Sequence, residues 1–392
     1  MTGQLAQAVA AAGMVLPDYG GLCLDGVLPA VADALGAVLP EPAAQSAAAA
    51  RARLGLPRAS RVCVVLVDGL GDRLLRERLG HAPFLRRALE QSRVLTVGYP
   101  STTAASMGLF GTGAGAGRTA LAGYTVRHPE TGALANLVSW DGVAGTPEAW
   151  QREPTWFTRI SGAGIPVTSV GPPKFDGSGL TRAALRGGGY VAAELLADRV
   201  DATLFELAVP GLVYLYWGDV DKTGHQFGWQ SREWSDALTH TDRELGRLAR
   251  SLPRDTMLLV TADHGMVDVD PARLVDVAST STLRRGVELV AGEPRATHVH
   301  VAEGQVEAVA QRWRARLGAD TVVATRTEAI EAGWFGPVAA HVEPVIGDLV
   351  VAATGRAGVV DSRTQTPHSI ALRGMHGSLT PGEMLVPLVV VA

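Results

Sequence analysis

The stretch Val62–Gly71, VCVVLVDGLG, decides the reading of the fold. Six apolar residues in an unbroken, valine-rich run read as a strand buried on both faces, and the run stops at Asp68-Gly69. Two further runs end in the same way. Leu212–Trp217 (LVYLYW) leads into Gly218-Asp219-Val220-Asp221, and Met257–Val260 (MLLV) leads into Thr261-Ala262-Asp263-His264-Gly265. A fourth buried run is Ile165–Val170 (IPVTSV), and helical patterns such as Ala82–Ser92 and Trp234–Leu252 lie between the strands. Strands alternating with helices imply a parallel sheet covered on both faces. Ligands bind such sheets in the crevice beyond the carboxyl ends of the strands, so the three carboxylates are expected to meet there.

Working outward, the chain has 392 residues, 47% of them hydrophobic and 19% charged, enough for a sizeable core and unlike a disordered chain. Lys plus Arg total 35 against 39 Asp plus Glu, a formal charge of -4 that gives no reason to expect nucleic acid or an anionic membrane as partner. Two cysteines, Cys23 and Cys63, are too few for a disulfide framework or a cysteine zinc cage, and fit a reducing compartment. No Lys or Arg precedes the first apolar stretch, and no uncharged run reaches the ~18 residues of a membrane span. The expectation is a cytoplasmic protein.

Residues 1–60 carry an Ala-rich helical pattern and read as an N-terminal extension of a main α/β domain covering 1–268. Residues 269–374 read differently: a hydrophilic turn at Ala291–Arg295 (AGEPR), an alternating THVHV strand and a charged-faced helix over Gln305–Leu317 suggest a small α+β insertion. Residues 375–392 return to the main domain, with Leu385–Val391 as its last strand.

Each strand-end Asp taken singly could merely cap a helix or shape a turn. Together they do more. Asp221 and His225 stand four residues apart, so that one helical turn aims both at one cation; Asp263 and His264 are adjacent; and His376 sits in Met375-His376-Gly377 ahead of the final strand. Asp68, Asp221, His225, Asp263, His264 and His376 are three carboxylates and three imidazoles without a thiolate. That donor set suits Zn²⁺ best, with Mn²⁺ or another divalent ion as alternatives, and six ligands suit two ions. A pair of ions about 3.5–4 Å apart is a device for phosphoryl displacement.

A nucleophile is found in Pro100-Ser101-Thr102-Thr103-Ala104-Ala105-Ser106, hydroxyls followed by small residues and a later Gly, the pattern of a helix N-terminus that favours an anion. Ser101 or Thr102 could be simple N-caps. Thr103 is the stronger nucleophile because a metal-coordinated hydroxyl loses its proton more readily.

The motifs VDGLGD, YPSTTAAS, DKTGH, TADHGM and MHG, in that order between Asp68 and His376, resemble the alkaline phosphatase superfamily, and most closely its nucleotide pyrophosphatase/phosphodiesterase branch. The resemblance implies a three-layer α/β/α sandwich with a small α+β cap. It also implies that Asp68, Thr103, Asp263 and His264 hold one metal and Asp221, His225 and His376 the second, with Thr103 as nucleophile. Two positions depart from the branch's pattern. Ser106 stands where an Asn commonly helps hold a phosphoryl oxygen, and Asp219 is an extra carboxylate that either supports the metal ligands or, preferably, shapes the turn.

The function these residues imply is a two-metal hydrolase of phosphodiester or pyrophosphate bonds, working through a phospho-threonine on small phosphate esters, nucleotides among them. A phosphomonoesterase or phosphonate-ester hydrolase shares the scaffold, although no Arg adjoins the Thr103 motif. The reading from another class is a metal-stabilised binding protein without catalysis. His298 and His300, on one side of THVHV, read as strand histidines, Lys174 as a solvated lysine, and Gly187-Gly188-Gly189 as a flexible turn.

Overall fold

The computed structural model describes residues 3–391. In chain order its main elements are helices α1 (Gly3–Ala11), α2 (Val27–Ala34) and α3 (Ala43–Leu54), strands β1 (Arg61–Val67) and β2 (Arg93–Thr96), helix α4 (Thr103–Thr112), strands β3 (Val167–Gly171), β4 (Gly189–Ala192) and β5 (Gly211–Trp217), helices α5 (Asp219–Phe227) and α6 (Arg232–Ser251), and strand β6 (Thr256–Thr261). There follow β7 (Val287–Glu293), β8 (Ala296–Val301), α7 (Val306–Leu317), β9 (Thr321–Thr325), β10 (Leu349–Ala353) and β11 (Leu385–Val391).

The seven-stranded sheet runs β2-β11-β6-β1-β5-β3-β4. β1 lies between β5 and β6, parallel to both, with Val67 opposite Trp217 and Leu66 opposite Thr261. β11 alone among the described strands of this sheet runs opposite to the rest, antiparallel to β2 on one side and β6 on the other. The carboxyl ends of β5, β1 and β6 therefore stand side by side, and this adjacency sets the site. The strands are buried along almost their whole length because helices cover both faces, which is why they read as continuous apolar runs. The architecture is a mixed α/β fold around a central, mostly parallel sheet.

Between β6 and β11 a four-stranded antiparallel sheet, β7-β8-β10-β9, carries α7 on one face. Alternation divides its side chains. Val299, Val301, Val323, Leu349 and Val351 join Trp313 of α7 in a small core, while Ala296, Val322, Ala324, Val350 and Ala352 pack into the main core.

Three local readings differ from the structure. The strand expected from Ile165 begins at Val167, because Pro166 has no N–H to give and instead accepts from Leu212 N at 2.9 Å. The helix expected over Ala82–Ser92 is an α-helix over Pro83–Ala88 followed by a 3₁₀ turn. AGEPR is mostly strand, with a hairpin turn at Pro294-Arg295 alone, and Arg295 is fully buried rather than solvated. The sequence could not reveal its partner: Arg295 donates to both carboxylate oxygens of Glu383 at 3.0 and 2.7 Å, with neither side chain exposed. Glu383 also accepts from Ser378 N at 3.0 Å, which ties the insertion to the loop after His376.

Removing one member of a fully buried pair leaves an uncompensated charge, at a cost of about 3–5 kcal/mol. Arg295→Met should accordingly lower the thermal unfolding midpoint sharply, and adding Glu383→Leu should restore much of it. Equal destabilisation by the single and double variants in calorimetry would contradict this.

Candidate active site

β1 ends at Val67, and the next residue, Asp68, turns into the crevice through Gly69 at φ +73°. A Cβ at Gly69 would meet the Asp221 Cβ at 2.9 Å, so only glycine allows the Asp68 turn and α5 to approach this closely. The Gly69 N–H donates to Asp263 Oδ1 at 3.1 Å, joining the β1 and β6 loops. α5 carries Asp221 in its first turn and His225 one turn later, with Nε2 to Asp221 Oδ2 at 3.3 Å.

The three carboxylates and three imidazoles meet here. His264 Nε2 lies 3.4 Å from both Asp68 Oδ1 and Asp263 Oδ2, and His376 Nε2 lies 3.9 Å from Asp221 Oδ1. Donor atoms of Asp68, Asp263 and His264 fall within 4.8 Å of one another, as do those of Asp221, His264 and His376. The two donor sets separated on the sequence thus adjoin through His264, whose ring stacks on His376 at 3.6 Å.

Each imidazole is oriented by a backbone carbonyl: His225 Nδ1 meets Gly374 O at 2.7 Å, His264 Nδ1 meets Gly265 O at 2.9 Å, and His376 Nδ1 meets Ser101 O at 3.0 Å. Donation from Nδ1 leaves the Nε2 lone pair facing the cluster, the arrangement that metal-binding histidines adopt. Asp68 Oδ1, Asp221 Oδ1 and Asp263 Oδ2 are buried without a hydrogen-bond partner among the described residues. Buried, unpartnered carboxylate oxygens beside oriented imidazoles fit divalent cations.

The electrostatics point the same way. Burial, reinforced by the charges of Asp263 and Asp221, holds the Asp68 carboxyl well above its usual range. Burial likewise raises Asp263, against the pull of His264. Burial would raise Asp221 too, but His225, His376 and His264 outweigh it and hold that carboxyl low. Burial opposes protonation of His225, yet Asp221 prevails and lifts it to about 9. His376 is driven well below its ordinary value by burial and by His264.

Thr103 is the first residue of α4, with Thr102 at the N-cap position, and its Oγ1 lies 3.3 Å from His264 Nε2. Ser101 anchors this loop to the His376 loop. Its N–H donates to Gly377 O at 2.9 Å and its hydroxyl to Ser378 O at 2.7 Å. Ser106 is fully buried one turn along α4, its Oγ without a partner among the described residues, and it is absent from the cavity walls described next.

Two cavities open on the cluster. One, of about 240 Å³, has Asp68, Thr103, Asp221, His225 and His376 at one end and Phe175, Leu180, Leu185, Tyr190, Tyr214 and Tyr216 beyond. The other, of about 630 Å³, lies between β7 and the residues 124–142 and 359–376, and reaches the cluster at His225 and His376. Tyr216, which sequence reasoning did not single out, donates to Asp68 Oδ2 at 2.6 Å; period-two alternation in LVYLYW, setting Tyr214 and Tyr216 on one face, was the available signal. Glu293, on the wall of the larger cavity, was also missed. Its Oε2 accepts from Tyr124 N at 2.7 Å, and burial together with Glu383 pushes its carboxyl up to about 8.

The structure leaves other residues outside. Asp219 is exposed on the first turn of α5, and Lys174 is exposed beside the Phe175 ring. His298 and His300 are buried in β8, where burial drives both down to about 3 and keeps them neutral. His298 Nδ1 accepts from Gly347 N at 3.0 Å.

Comparison with known proteins agrees with this picture. The profile of the family described as type I phosphodiesterase / nucleotide pyrophosphatase matches residues 62–379. Human ectonucleotide pyrophosphatase/phosphodiesterase family member 7 is 41% identical over 64 residues, a match spanning 15% of this chain and 14% of that protein. Among solved structures, an inactive variant of murine ectonucleotide pyrophosphatase/phosphodiesterase 5 in complex with AMP aligns with a TM-score of 0.65 at 18% identity, over 84% of this chain and 87% of that one. Phosphonoacetate hydrolase from Sinorhizobium meliloti 1021, in complex with phosphonoformate, aligns with a TM-score of 0.65 at 20% identity, over 85% and 90%.

Fold and profile agree on the class of protein: a mixed α/β chain around a mostly parallel sheet, carrying this family's signature from β1 to the loop after His376. The chain belongs to the type I phosphodiesterase / nucleotide pyrophosphatase family.

Because Asp221 lifts His225 to about 9, this imidazole carries a proton at pH 7 that a cation must displace. Calorimetric titration with Zn²⁺ in buffers of different ionisation enthalpy should show net proton release at pH 7, shrinking as the pH passes about 9. His225→Gln should reduce the release. Heats independent of buffer would contradict the assignment.

Proposed function

We propose that the protein hydrolyses phosphodiester or pyrophosphate bonds by two in-line displacements through a phospho-threonine at Thr103, with Asp68, Thr103, Asp263 and His264 holding one divalent ion, zinc foremost, and Asp221, His225 and His376 a second. The observation that carries the reading is the position of Thr103 Oγ1, at a helix N-terminus, 3.3 Å from His264 Nε2 and on the wall of the cavity that opens from the cluster. When bound, the ions would neutralise phosphoryl charge and make a hydroxyl more acidic.

The chain's own groups do the rest. α4 begins at Thr103, which with the N-cap residue Thr102 lines this cavity, and a helix N-terminus without a side-chain cap favours an anion there. Thr103 Oγ1 attacks phosphorus, the ester oxygen departs, and water then releases the retained group as its phosphate monoester from the threonine. Tyr216 keeps Asp68 in its ligating orientation through the 2.6 Å hydrogen bond. The aromatic cavity receives an apolar or ring-bearing substituent of the retained phosphoryl group; the AMP held by the murine relative is a ligand of this kind.

Neither cavity has a Lys or Arg among its described lining residues. A dianionic monoester, or a phosphonate bearing a carboxylate, would find no side-chain cation, and this favours the monoanionic diester. Ser106, buried away from the cavities, is not retained as a substrate contact.

Thr103→Ala should lower turnover of bis-p-nitrophenyl phosphate roughly a thousandfold while metal content stays unchanged. Wild-type protein should prefer that diester to p-nitrophenyl phosphate and lose activity on both with a chelator. Near-normal turnover by the variant removes Thr103 as nucleophile, and a preference for the monoester overturns the diesterase reading.

A further inference from the structure

The two cavities differ in which part of the cluster they reach. The aromatic cavity includes Asp68 and Thr103; the larger one includes neither and meets the cluster at His225 and His376. In-line displacement puts the leaving group on the side of phosphorus away from the attacking oxygen. The retained group then occupies the aromatic cavity, and the leaving group the larger one.

The wall of that larger cavity is distinctive. Its hydrogen-bonding side chains include Thr125, Asn136, Thr297, Thr364, Thr366 and Ser369. Its acidic side chains outside the cluster are Glu293, Asp141 and Asp361, with no Lys or Arg among the described lining residues. Asp361 is answered by Arg363, which does not line the cavity. Glu293 is only 7% exposed, and its Oε1 has no hydrogen-bond partner among the described residues. A polyanion entering this space would be desolvated against carboxyls, hydroxyls and apolar side chains such as Leu134, Val359 and Leu372, without a Lys or Arg among the described lining residues to receive it.

We infer that the leaving group is an alcohol without negative charge that carries further hydrogen-bond donors, such as a polyol or an amino alcohol, and that the larger cavity selects it over pyrophosphate and other polyanions. This rests on the diesterase reading above and narrows it. The Thr103 Oγ1–P bond forms as the P–O bond to the alcohol breaks. The departing oxygen keeps the bonding pair and takes a proton from water, and the threonine proton passes to water. In the second step a water oxygen bonds to phosphorus as the Thr103 Oγ1–P bond breaks, one water proton returning to the threonine.

The test uses thymidine 5′-phosphate esters of glycerol, ethanolamine and glycerol monophosphate, whose leaving oxygens are all aliphatic, with the p-nitrophenyl ester as control. Thymidine 5′-phosphate is quantified by chromatography with the metal-loaded protein. The glyceryl and aminoethyl esters should exceed the phosphoglyceryl ester by about tenfold or more in kcat/KM. Thr364→Lys, at an exposed position on the cavity wall, should raise turnover of the phosphoglyceryl ester and narrow its gap to the glyceryl ester. Because this is a gain of activity, misfolding cannot mimic it.

Cleavage of the phosphoglyceryl ester as fast as the glyceryl ester overturns the inference. So does cleavage of the p-nitrophenyl ester alone, or release of thymidine in place of its phosphate. Failure of the p-nitrophenyl ester itself instead removes the diesterase reading on which the inference rests.

Discussion

Three carboxylates within a few ångströms of one another, Asp68 and Asp263 buried and Asp221 nearly so, are the constraint on which the rest of this structure depends. Burial disfavours each negative charge and proximity disfavours it again, so Asp68, Asp221 and Asp263 can share the crevice only if the surroundings answer them. The answers are local and geometric. Tyr216 donates to Asp68, the Gly69 amide donates to Asp263, His225 pairs with Asp221, and His264 stands beside both Asp68 and Asp263. Three carboxylate oxygens still lack partners, and a divalent cation is the chemical species that such oxygens and three oriented imidazoles can serve together.

Holding that cluster open to a ligand demands rigidity beyond it. Ser101 bonds to the loop that carries His376, so the nucleophile's loop and the last imidazole move as one unit. The following residues are held by Glu383, which the buried Arg295 of the insertion grips through both oxygens. The hairpin bearing Arg295 is thereby wired to the site, and its strand β7 forms a wall of the larger cavity. Gly377, at φ +127°, would place a Cβ 2.8 Å from the Glu293 side chain, so the loop bearing His376 and the hairpin bearing Glu293 fit only because that position is glycine.

Much of this was legible in the chain. The buried strands were visible as valine-rich runs because both faces of a mostly parallel sheet are covered, and their common ending in Asp pointed to the crevice. Asp221 and His225 were readable as a pair because the helical repeat is local. The errors fell where a distant partner overrides a local signal. Arg295 looked like a solvated turn residue until Glu383, 88 positions away, buried it, and Pro166 delayed a strand by lacking one N–H. Ser106 stands where the resembled branch commonly has an Asn that helps hold a phosphoryl oxygen, yet its side chain is fully buried in α4 and lines neither cavity.

The sequence by itself determined the α/β class, the three strand-end carboxylates, the three imidazoles and the hydroxyl that accompanies them, because each follows from patterns within a few residues of one another. Only the tertiary structure decided that β1 sits between β5 and β6, so that three loops far apart in the chain converge, and that β7 and the segment 359–376 close round a second cavity bearing carboxyls and, among its described lining residues, no Lys or Arg. Those outcomes depend on strand order and on contacts across some hundred residues or more. Packing of the whole core fixes such contacts, and no local pattern encodes them.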